Sequence, residues 1–194
     1  VYKDSGFAVL LAAQKKGWRL HYMQPRDLYL NNSRVYGHRQ LLKVFDDKHH
    51  WFELSEPEDI ELGELDVILM RKDPPFDMEY IYTTYLLDLA EQQGALVVNK
   101  PSSLRDANEK IFITQFPQCC TDTLVTRDAR RLRAFINQKK DVILKHLNGM
   151  GGTSIFRVTP TDPNLSVILE TITQHDTTTI MAQKYIAEII HGDK

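Results

Sequence analysis

Apolar residues recur along the chain at two spacings, and these spacings predict alternating helices and strands. The clearest helix spans residues 77–93, with Asp77 expected to cap its start and Gly94 to end it in the left-handed conformation. The residues expected on its buried face are Met78, Ile81, Tyr82, Tyr85, Leu86, Leu89 and Ala90. Short apolar runs at residues 66–70 and 95–99 flank this helix. A strand, a helix and a strand in such close succession predict a βαβ unit with parallel strands.

Further strands are predicted on the N-terminal side of this unit. Residues 18–23 form one of them, and a turn at residues 31–33 separates two more, at residues 28–30 and 35–36. We expect these strands to be added to the sheet. The acidic residues 57–64 are expected to form a loop.

The rest of the chain predicts smaller, hairpin-like units. A helix is expected at residues 106–116, closed by Pro117. The strands predicted after it are at residues 123–126, 141–145, 154–158 and 178–185, and the helices are at residues 128–139 and 162–174. The fold class is therefore α/β in two parts, with a largely parallel α/β domain over residues 1–107 and a second domain over residues 108–194.

The composition is that of a globular protein, with 194 residues of which 42% are apolar and 26% are charged. A net charge of −2 gives no broad electrostatic basis for binding nucleic acid or anionic lipid. The longest apolar run, residues 7–13, is much shorter than the roughly 20 residues that cross a bilayer. Neither a nucleic-acid partner nor a membrane is therefore expected. Cys119 and Cys120 are adjacent and cannot staple two elements together, so a reducing, cytoplasmic location is expected.

Both ends of the sequence have the character of internal positions. Asp4 and Ser5 cap a helix almost at once, and an α/β domain that opens on a helix has usually lost the strand before it. At the other end, the apolar residues 180–186 run into residues 191–194 with nothing left to pack against. We expect this sequence to be an internal piece of a longer protein.

The segment richest in candidate chemistry follows the predicted strand that ends in Lys145. Three glycines, Gly149, Gly151 and Gly152, lie within four residues there. Glycines allow backbone N–H groups to approach an anion closely, and a lysine at the strand end adds a cation. The alternative is a simple hairpin turn at Asn148-Gly149. The loop matches neither the P-loop nor the Rossmann glycine pattern, so those two kinds of nucleotide site are disfavoured.

Two other segments favour a nucleotide site. Lys110 is expected on the helix that begins the second domain, and Asp193 follows the last predicted strand. The end of that strand is a candidate hinge, formed by Gln183, Lys184, Tyr185 and Ile186. A second lysine, a glycine flap, a strand-edge hinge and a following acid resemble the ordered parts of an ATP-grasp nucleotide site.

Eight motifs resemble bacterial glutathione synthetases, in order and at that family's spacing. They lie at residues 3–5, 20–23, 27–30, 67–77, 98–101, 104–110, 149–152 and 192–194. The Met-Arg-Lys-Asp-Pro-Pro sequence within the fourth motif is highly specific. The chain departs from the family at His146 and Asn148, where the family usually has Pro and Asp. His146 lacks the rigid φ angle of proline, and Asn148 lacks the charge of aspartate near the phosphates.

The resemblance implies a pre-ATP-grasp substrate domain over residues 1–107 and the first part of an ATP-grasp α+β module over residues 108–194. It implies ATP-dependent ligation of γ-glutamylcysteine to glycine through an acyl phosphate, with ATP and Mg²⁺ required. The metal ligands are expected beyond this sequence, so no metal ligand is predicted within it and the piece alone is expected to be inactive. Family members are commonly homotetramers in the cytoplasm.

The resemblance also implies roles for individual residues. Lys110 and Lys145 would bind phosphates, and the three glycines would form a flap over them. The hinge at residues 183–186 would hold adenine through backbone groups, and Asp193 would hold the ribose.

Arg71 and Asp73 are candidate anchors for a dipeptide substrate. Both come just after a predicted strand, where open α/β sheets place their ligands. The alternative is a stiff proline-containing loop whose charges are merely solvated.

Two other functions remain open from the residues alone. One is a different ATP-grasp ligase, such as one acting on D-alanine or glutamate, since the nucleotide residues would be shared. The other is a non-catalytic binding or assembly module, in which the glycine loop is only a turn.

Overall fold

The computed structural model describes residues 4–73 and 75–192, and the chain divides into two units after Asp106. Within the described ranges no helix is both long enough and apolar enough to cross a membrane. The first unit contains, in chain order, α1 (Ser5–Lys15), β1 (Leu20–Tyr22), β2 (Leu28–Asn31), β3 (Arg34–Val44), β4 (Phe52–Leu54), β5 (Glu58–Glu61), β6 (Val67–Leu69), α2 (Met78–Gln92), β7 (Leu96–Val98) and α3 (Pro101–Asp106).

The sheet of the first unit is built around the long strand β3, which pairs antiparallel with β1, β2, β4 and β5. Among the described residues only β6 and β7 pair in parallel. The expectation of a largely parallel N-terminal domain is therefore wrong. Asn32 and Ser33 have φ angles of 46° and 65° and close a tight turn between β2 and β3. Such a short connection makes an antiparallel hairpin, since parallel pairing needs a long crossover.

The predicted βαβ unit is present. Ile68 of β6 lies opposite Val97 of β7, and α2 forms the crossover between them. The carboxylate of Asp77 accepts a hydrogen bond from the Tyr80 N–H at 3.0 Å, as expected of a helix cap. Gly94 has a φ angle of 122°, a positive angle that glycine adopts without strain.

The buried face of α2 differs from the predicted one. Met78, Tyr82 and Tyr85 are about half exposed, whereas Thr83 and Thr84 are buried with Leu87 and Ala90. Each threonine hydroxyl donates to a carbonyl of its own helix, at 2.9 Å and 2.7 Å, so it can be buried without an unpaired polar group. A helical periodicity that counts only apolar residues does not identify Thr83 and Thr84 as part of the buried face.

The prediction of an acidic loop at residues 57–64 is also wrong for its first half, because Glu58–Glu61 form β5. Glu58 and Glu61 of this strand pair with Arg39 and Arg34 of the neighbouring β3. Opposite charges on facing strands stabilise the pairing, and acidic composition alone did not reveal the arginines that face them.

The second unit starts at Ala107 and contains β8 (Thr123–Thr126), α4 (Ala129–Lys139), β9 (Val142–His146), β10 (Phe156–Val158), α5 (Leu165–Thr173) and β11 (Ile180–Lys184). Its strands form one antiparallel sheet in the order β10-β9-β11-β8. Both helices and the sheet contribute to one apolar core, whose fully buried members include Leu132, Ile136, Leu144, Leu169, Ile172 and Ile180.

The helix predicted at residues 106–116 does not form. The α3 helix ends at Asp106, and short 3₁₀ turns follow at Phe112–Gln115 and Pro117–Cys119. Lys110 therefore lies in an irregular turn rather than on a helix. The reason is local, because the Asn108 side chain bonds the backbone N–H groups of Lys110 and Ile111 and so competes with helical pairing.

Candidate functional site

The glycine-rich loop at residues 147–155 connects β9 to β10. The two strands are antiparallel, with Leu144 opposite Phe156, so the loop does close a hairpin. It is not the tight turn at Asn148-Gly149, since neither of these residues has the positive φ angle that a two-residue hairpin turn requires. The loop is instead long, with its left-handed residues farther along the chain.

Gly151 and Gly152 give the loop its conformation. Their φ angles are 65° and 78°, and no atom lies within 4 Å of the Cβ position that either would carry. Backbone conformation, not space, is thus the reason for glycine at these two positions. Within the part of the chain that the structure describes, the N–H groups of Gly149, Gly151 and Gly152 have no hydrogen-bond partner. They are available donors of the kind that cradle an anion.

Lys110 is tied directly to this loop. Its ammonium donates to the Gly149 carbonyl and to the Glu109 carboxylate, the latter at 2.7 Å, and its side chain is only 14% exposed. The turn around Lys110 and the glycine loop therefore form one local structure.

Lys145 supplies a second cation near the first. It lies near the end of β9, opposite Met181 of β11. Burial lowers the pKa of Lys145 below its ordinary value, the charge of Lys110 lowers it further, and Glu109 partly opposes both. Two ammonium groups that repel each other beside unpaired N–H donors make a site that an anion would stabilise.

Asn108 is a site residue to which the sequence analysis assigned no role. Its side-chain oxygen accepts from the N–H groups of Lys110 and Ile111 at 3.1 Å and 3.0 Å, and its amide donates to the Leu147 carbonyl at 3.4 Å. One side chain thus holds both the lysine turn and the first residue of the glycine loop. The available signal was an Asn two residues before a candidate lysine, a common spacing for such turns.

The candidate hinge covers the last two residues of β11 and the two residues after it, and most of its polar groups already have hydrogen-bond partners. The Gln183 amide donates to the Thr123 hydroxyl at 2.9 Å, and the Lys184 and Tyr185 N–H groups donate to backbone carbonyls. Among the described residues, the Tyr185 carbonyl and the Ile186 N–H have no partner. These two groups belong to one trans peptide and point in opposite directions, so only one of them can face a given ligand edge. The Tyr185 carbonyl is an acceptor to which the amino group of adenine can donate. Asp193, the expected ribose ligand, lies outside the described residues.

In the first unit, Arg71 and Asp73 both lie on an exposed segment after β6. The Arg71 guanidinium donates to the Ser5 hydroxyl at 3.1 Å, which places it beside the start of α1. Within the described ranges Asp73 has no hydrogen-bond or ion-pair partner. Both side chains are thus exposed to solvent, and Arg71 is held in position.

No group of three or more His, Cys, Asp or Glu side chains is arranged to hold a metal ion within residues 4–73 and 75–192. The donor set of this part of the chain does not fit a Mg²⁺ site, so no chemical step is assigned through the metal here.

The chain matches two family models in succession. Residues 1–105 match the prokaryotic glutathione synthetase N-terminal domain, and residues 109–194 match the prokaryotic glutathione synthetase ATP-grasp domain. A search of solved structures finds D-cycloserine synthetase DcsG, with a TM-score of 0.53 and 9% identity over 67% of this chain and 47% of that one. At such low identity the likeness concerns the fold alone.

Curated relatives are much more similar in sequence. The glutathione synthetase of Shewanella oneidensis is 58% identical over 100% of this chain, and that of Pseudomonas syringae pv. tomato is 61% identical over 99%. The chain spans 62% and 60% of the lengths of these two relatives. With both consecutive domain models matched, the chain belongs to the prokaryotic glutathione synthetase family.

Proposed function

We propose that the whole protein joins γ-glutamylcysteine to glycine and converts ATP to ADP and phosphate. The observation that carries this proposal is the identity of 58% and 61% to two glutathione synthetases over nearly all of this chain. The phosphate-binding geometry of the second unit supports the same conclusion independently, because ATP must be bound for any such ligation.

In the proposed reaction, the cysteinyl carboxylate of the dipeptide attacks the terminal phosphorus of ATP, and ADP leaves. The glycine amine then attacks the acyl carbon, and phosphate leaves as the peptide bond forms. Both steps move negative charge onto phosphate oxygens, which fixed cations stabilise. Lys110 and Lys145 are proposed as those cations, and the N–H groups of Gly149, Gly151 and Gly152 as additional donors.

The glycine loop has a second proposed task, which is to exclude water. An acyl phosphate is hydrolysed easily, so the bound intermediate has to be covered until the amine attacks. A loop with few side chains can close directly over phosphate groups.

The hinge at residues 183–186 is proposed to bind adenine. Because the Lys184 and Tyr185 N–H groups are already bonded, the proposal assigns recognition of the adenine amino group to the Tyr185 carbonyl. Gln183 and Lys184 support the hinge from β11, and Asp193 is proposed to bind the ribose hydroxyls.

Residues 1–107 are proposed as the substrate domain and residues 108–194 as the start of the nucleotide domain. Arg71 is proposed to bind a carboxylate of γ-glutamylcysteine, and Asp73 its amine. Mg²⁺ would neutralise charge on the ATP phosphates, with ligands from other parts of the whole protein. By family resemblance we also propose a cytoplasmic homotetramer.

The direct test is phosphate release by the whole protein with ATP, γ-glutamylcysteine and glycine, together with detection of the tripeptide. We expect turnover with this pair of substrates and none with D-alanine or with glutamate and glycine. Turnover only with one of those other pairs would indicate a different ATP-grasp ligase. A non-catalytic module would bind no nucleotide. Replacing both Lys110 and Lys145 with methionine would then leave the measured nucleotide binding unchanged.

A further inference from the structure

Three residues at one end of the four-stranded sheet of the second unit form an arrangement that the proposed phosphate chemistry does not use. They are Asp141 just before β9, Arg157 on β10 and Tyr185 just after β11. We call them the hinge clamp. Since β10, β9 and β11 are neighbours in the sheet, these positions meet at the same end of it.

The clamp is held by contacts of high geometric specificity. The Arg157 guanidinium donates two hydrogen bonds to the Asp141 carboxylate, at 2.9 Å and 2.6 Å, and it lies 3.7 Å from the centre of the Tyr185 ring. A fork of two bonds fixes the plane of the guanidinium and so fixes the position of the cation that contacts the ring. Arg157 keeps the pKa of Asp141 below its ordinary value, so the carboxylate remains charged and bonded.

Asp141 also fixes the backbone of the same tyrosine. Its carbonyl accepts the Tyr185 N–H at 2.9 Å. Tyr185 is therefore held at two points, through its amide by Asp141 and through its ring by Arg157. These two restraints limit the conformations open to Tyr185 and, with them, the direction of its carbonyl.

We propose that Arg157 is a positioning residue for nucleotide selection, which acts by holding the Tyr185 ring so that the hinge presents the Tyr185 carbonyl to the amino group of adenine. The inference rests on the proposed function only in assigning adenine to the hinge. Guanine presents a carbonyl where adenine has its amino group, so a well-fixed hinge carbonyl favours adenine over guanine. Loss of the clamp should weaken both the affinity for ATP and this preference.

The test uses the whole protein and compares Arg157→Ala with Arg130→Ala. Arg130 is a matched control, since it also donates two side-chain hydrogen bonds to one aspartate, Asp128, but contacts no ring among the residues that the structure describes. From the worth of a stacked cation we expect Arg157→Ala to raise the KM for ATP about three- to tenfold and to lower the ATP-over-GTP preference. The kcat and the KM for γ-glutamylcysteine should stay within about twofold of wild type, as for a loss of uniform binding. Arg130→Ala should leave all of these unchanged.

A double substitution tests whether Arg157 acts through the tyrosine. Tyr185→Ala should resemble Arg157→Ala, and Tyr185→Phe, which keeps the ring, should recover most of the ATP affinity and preference that Tyr185→Ala loses. The double variant Arg157→Ala/Tyr185→Ala should be no worse than Tyr185→Ala alone, because both remove one interaction. Additive effects would overturn the inference, as would an unchanged KM for ATP. A fall in kcat together with a rise in every KM would also overturn it, since that is the result of general structural damage.

Nucleotide binding is measured separately, by displacement of a fluorescent ATP analogue. If wild-type protein binds ATP and the clamp variant binds it weakly, but no tripeptide forms, the proposed function fails and the clamp stands. If wild-type protein forms the tripeptide and Arg157→Ala binds ATP normally, the clamp fails and the proposed function stands.

Discussion

At the scale of single residues, the second unit brings two lysine charges and several unpaired backbone N–H groups together in one region. Lys110 and Lys145 carry like charges close together, and backbone N–H groups of the glycine loop beside them lack partners among the described residues. The exposed N–H groups of Gly151 and Gly152 are accessible to an anion, and the two lysines need acids or an anion to neutralise their charge. Glu109 supplies only part of this neutralisation, because it is a largely exposed side chain. We propose that a bound polyanion supplies the rest.

The lowered pKa of Lys145 leads to a prediction about protons. A bound phosphate stabilises the charged lysine and returns its pKa towards the ordinary value, so at alkaline pH nucleotide binding should take up a fraction of a proton. Calorimetric titration in buffers of different ionisation enthalpy measures this uptake. The Lys145→Arg variant is the control, since arginine stays charged and should show no uptake from this position. Equal uptake in both proteins would contradict the assignment.

The same shift has a consequence for stability without nucleotide. The folded protein releases the Lys145 proton at a lower pH than the unfolded chain, so between the two pKa values the unfolded state binds more protons. In that window the contribution of Lys145 to the free energy of unfolding rises with pH. Saturating nucleotide should reduce this slope, because it removes the difference between the two pKa values.

Two substitutions of Asn108 test the lysine turn separately from its link to the glycine loop. Asn108→Ala removes both functions, whereas Asn108→Ser keeps an oxygen for the N–H groups of the turn but cannot reach the Leu147 carbonyl. We expect the serine variant to recover most of the melting temperature that the alanine variant loses. Both should raise the KM for ATP by about two- to tenfold, the worth of one or two hydrogen bonds. Recovery of the KM in the serine variant would show that the link to Leu147 is unimportant.

At the scale of elements, local signals predicted well and long-range ones did not. The crossover helix, its Asp77 cap and the hairpin at residues 31–33 followed from spacing and turn residues, which act over a few positions. The antiparallel pairing around β3 did not follow, since partner choice depends on residues far apart in the chain. The irregular turn at Lys110 was not predicted, because the side chain of Asn108 takes the backbone N–H groups of Lys110 and Ile111 that a continuous helix would use. Which hinge groups remain unpaired depends on Asp122 and Asp141, which lie just before β8 and β9.

The loop between β9 and β10 offers a matched pair of glycines. A Cβ at Gly151 would be strained because its φ angle is 65°, whereas a Cβ at Gly149 would meet only ordinary contacts, the nearest at 3.5 Å. A left-handed residue other than glycine costs roughly 1–2 kcal/mol, so Gly151→Ala should weaken ATP binding by about fivefold or more. Gly149→Ala should have a much smaller effect. Binding of a fluorescent ATP analogue measures both, and equal losses would contradict a conformational role for Gly151.

At the scale of the whole molecule, the candidate groups divide between two units with separate apolar cores. The lysines, the glycine loop and the hinge all belong to the second unit, whereas Arg71 and Asp73 belong to the first. The fold of the second unit therefore contains every described group to which we assign the nucleotide. A ligand stabilises the part of a protein that binds it, by about 2.7 kcal/mol at a concentration one hundred times its Kd.

Hydrogen exchange on the whole protein tests this division. A non-hydrolysable ATP analogue should slow exchange in residues 107–111 and in residues 147–155, where the proposed donors become engaged. The core of the second unit should follow, since its opening requires release of the nucleotide. The α2 helix in the first unit should change little, and it serves as the internal control. γ-Glutamylcysteine alone should instead slow exchange in the segment that contains Arg71 and Asp73. If the ATP analogue protected α2 as strongly as the glycine loop, the assignment of the nucleotide to the second unit would be wrong, because protection would then report a change shared by both cores.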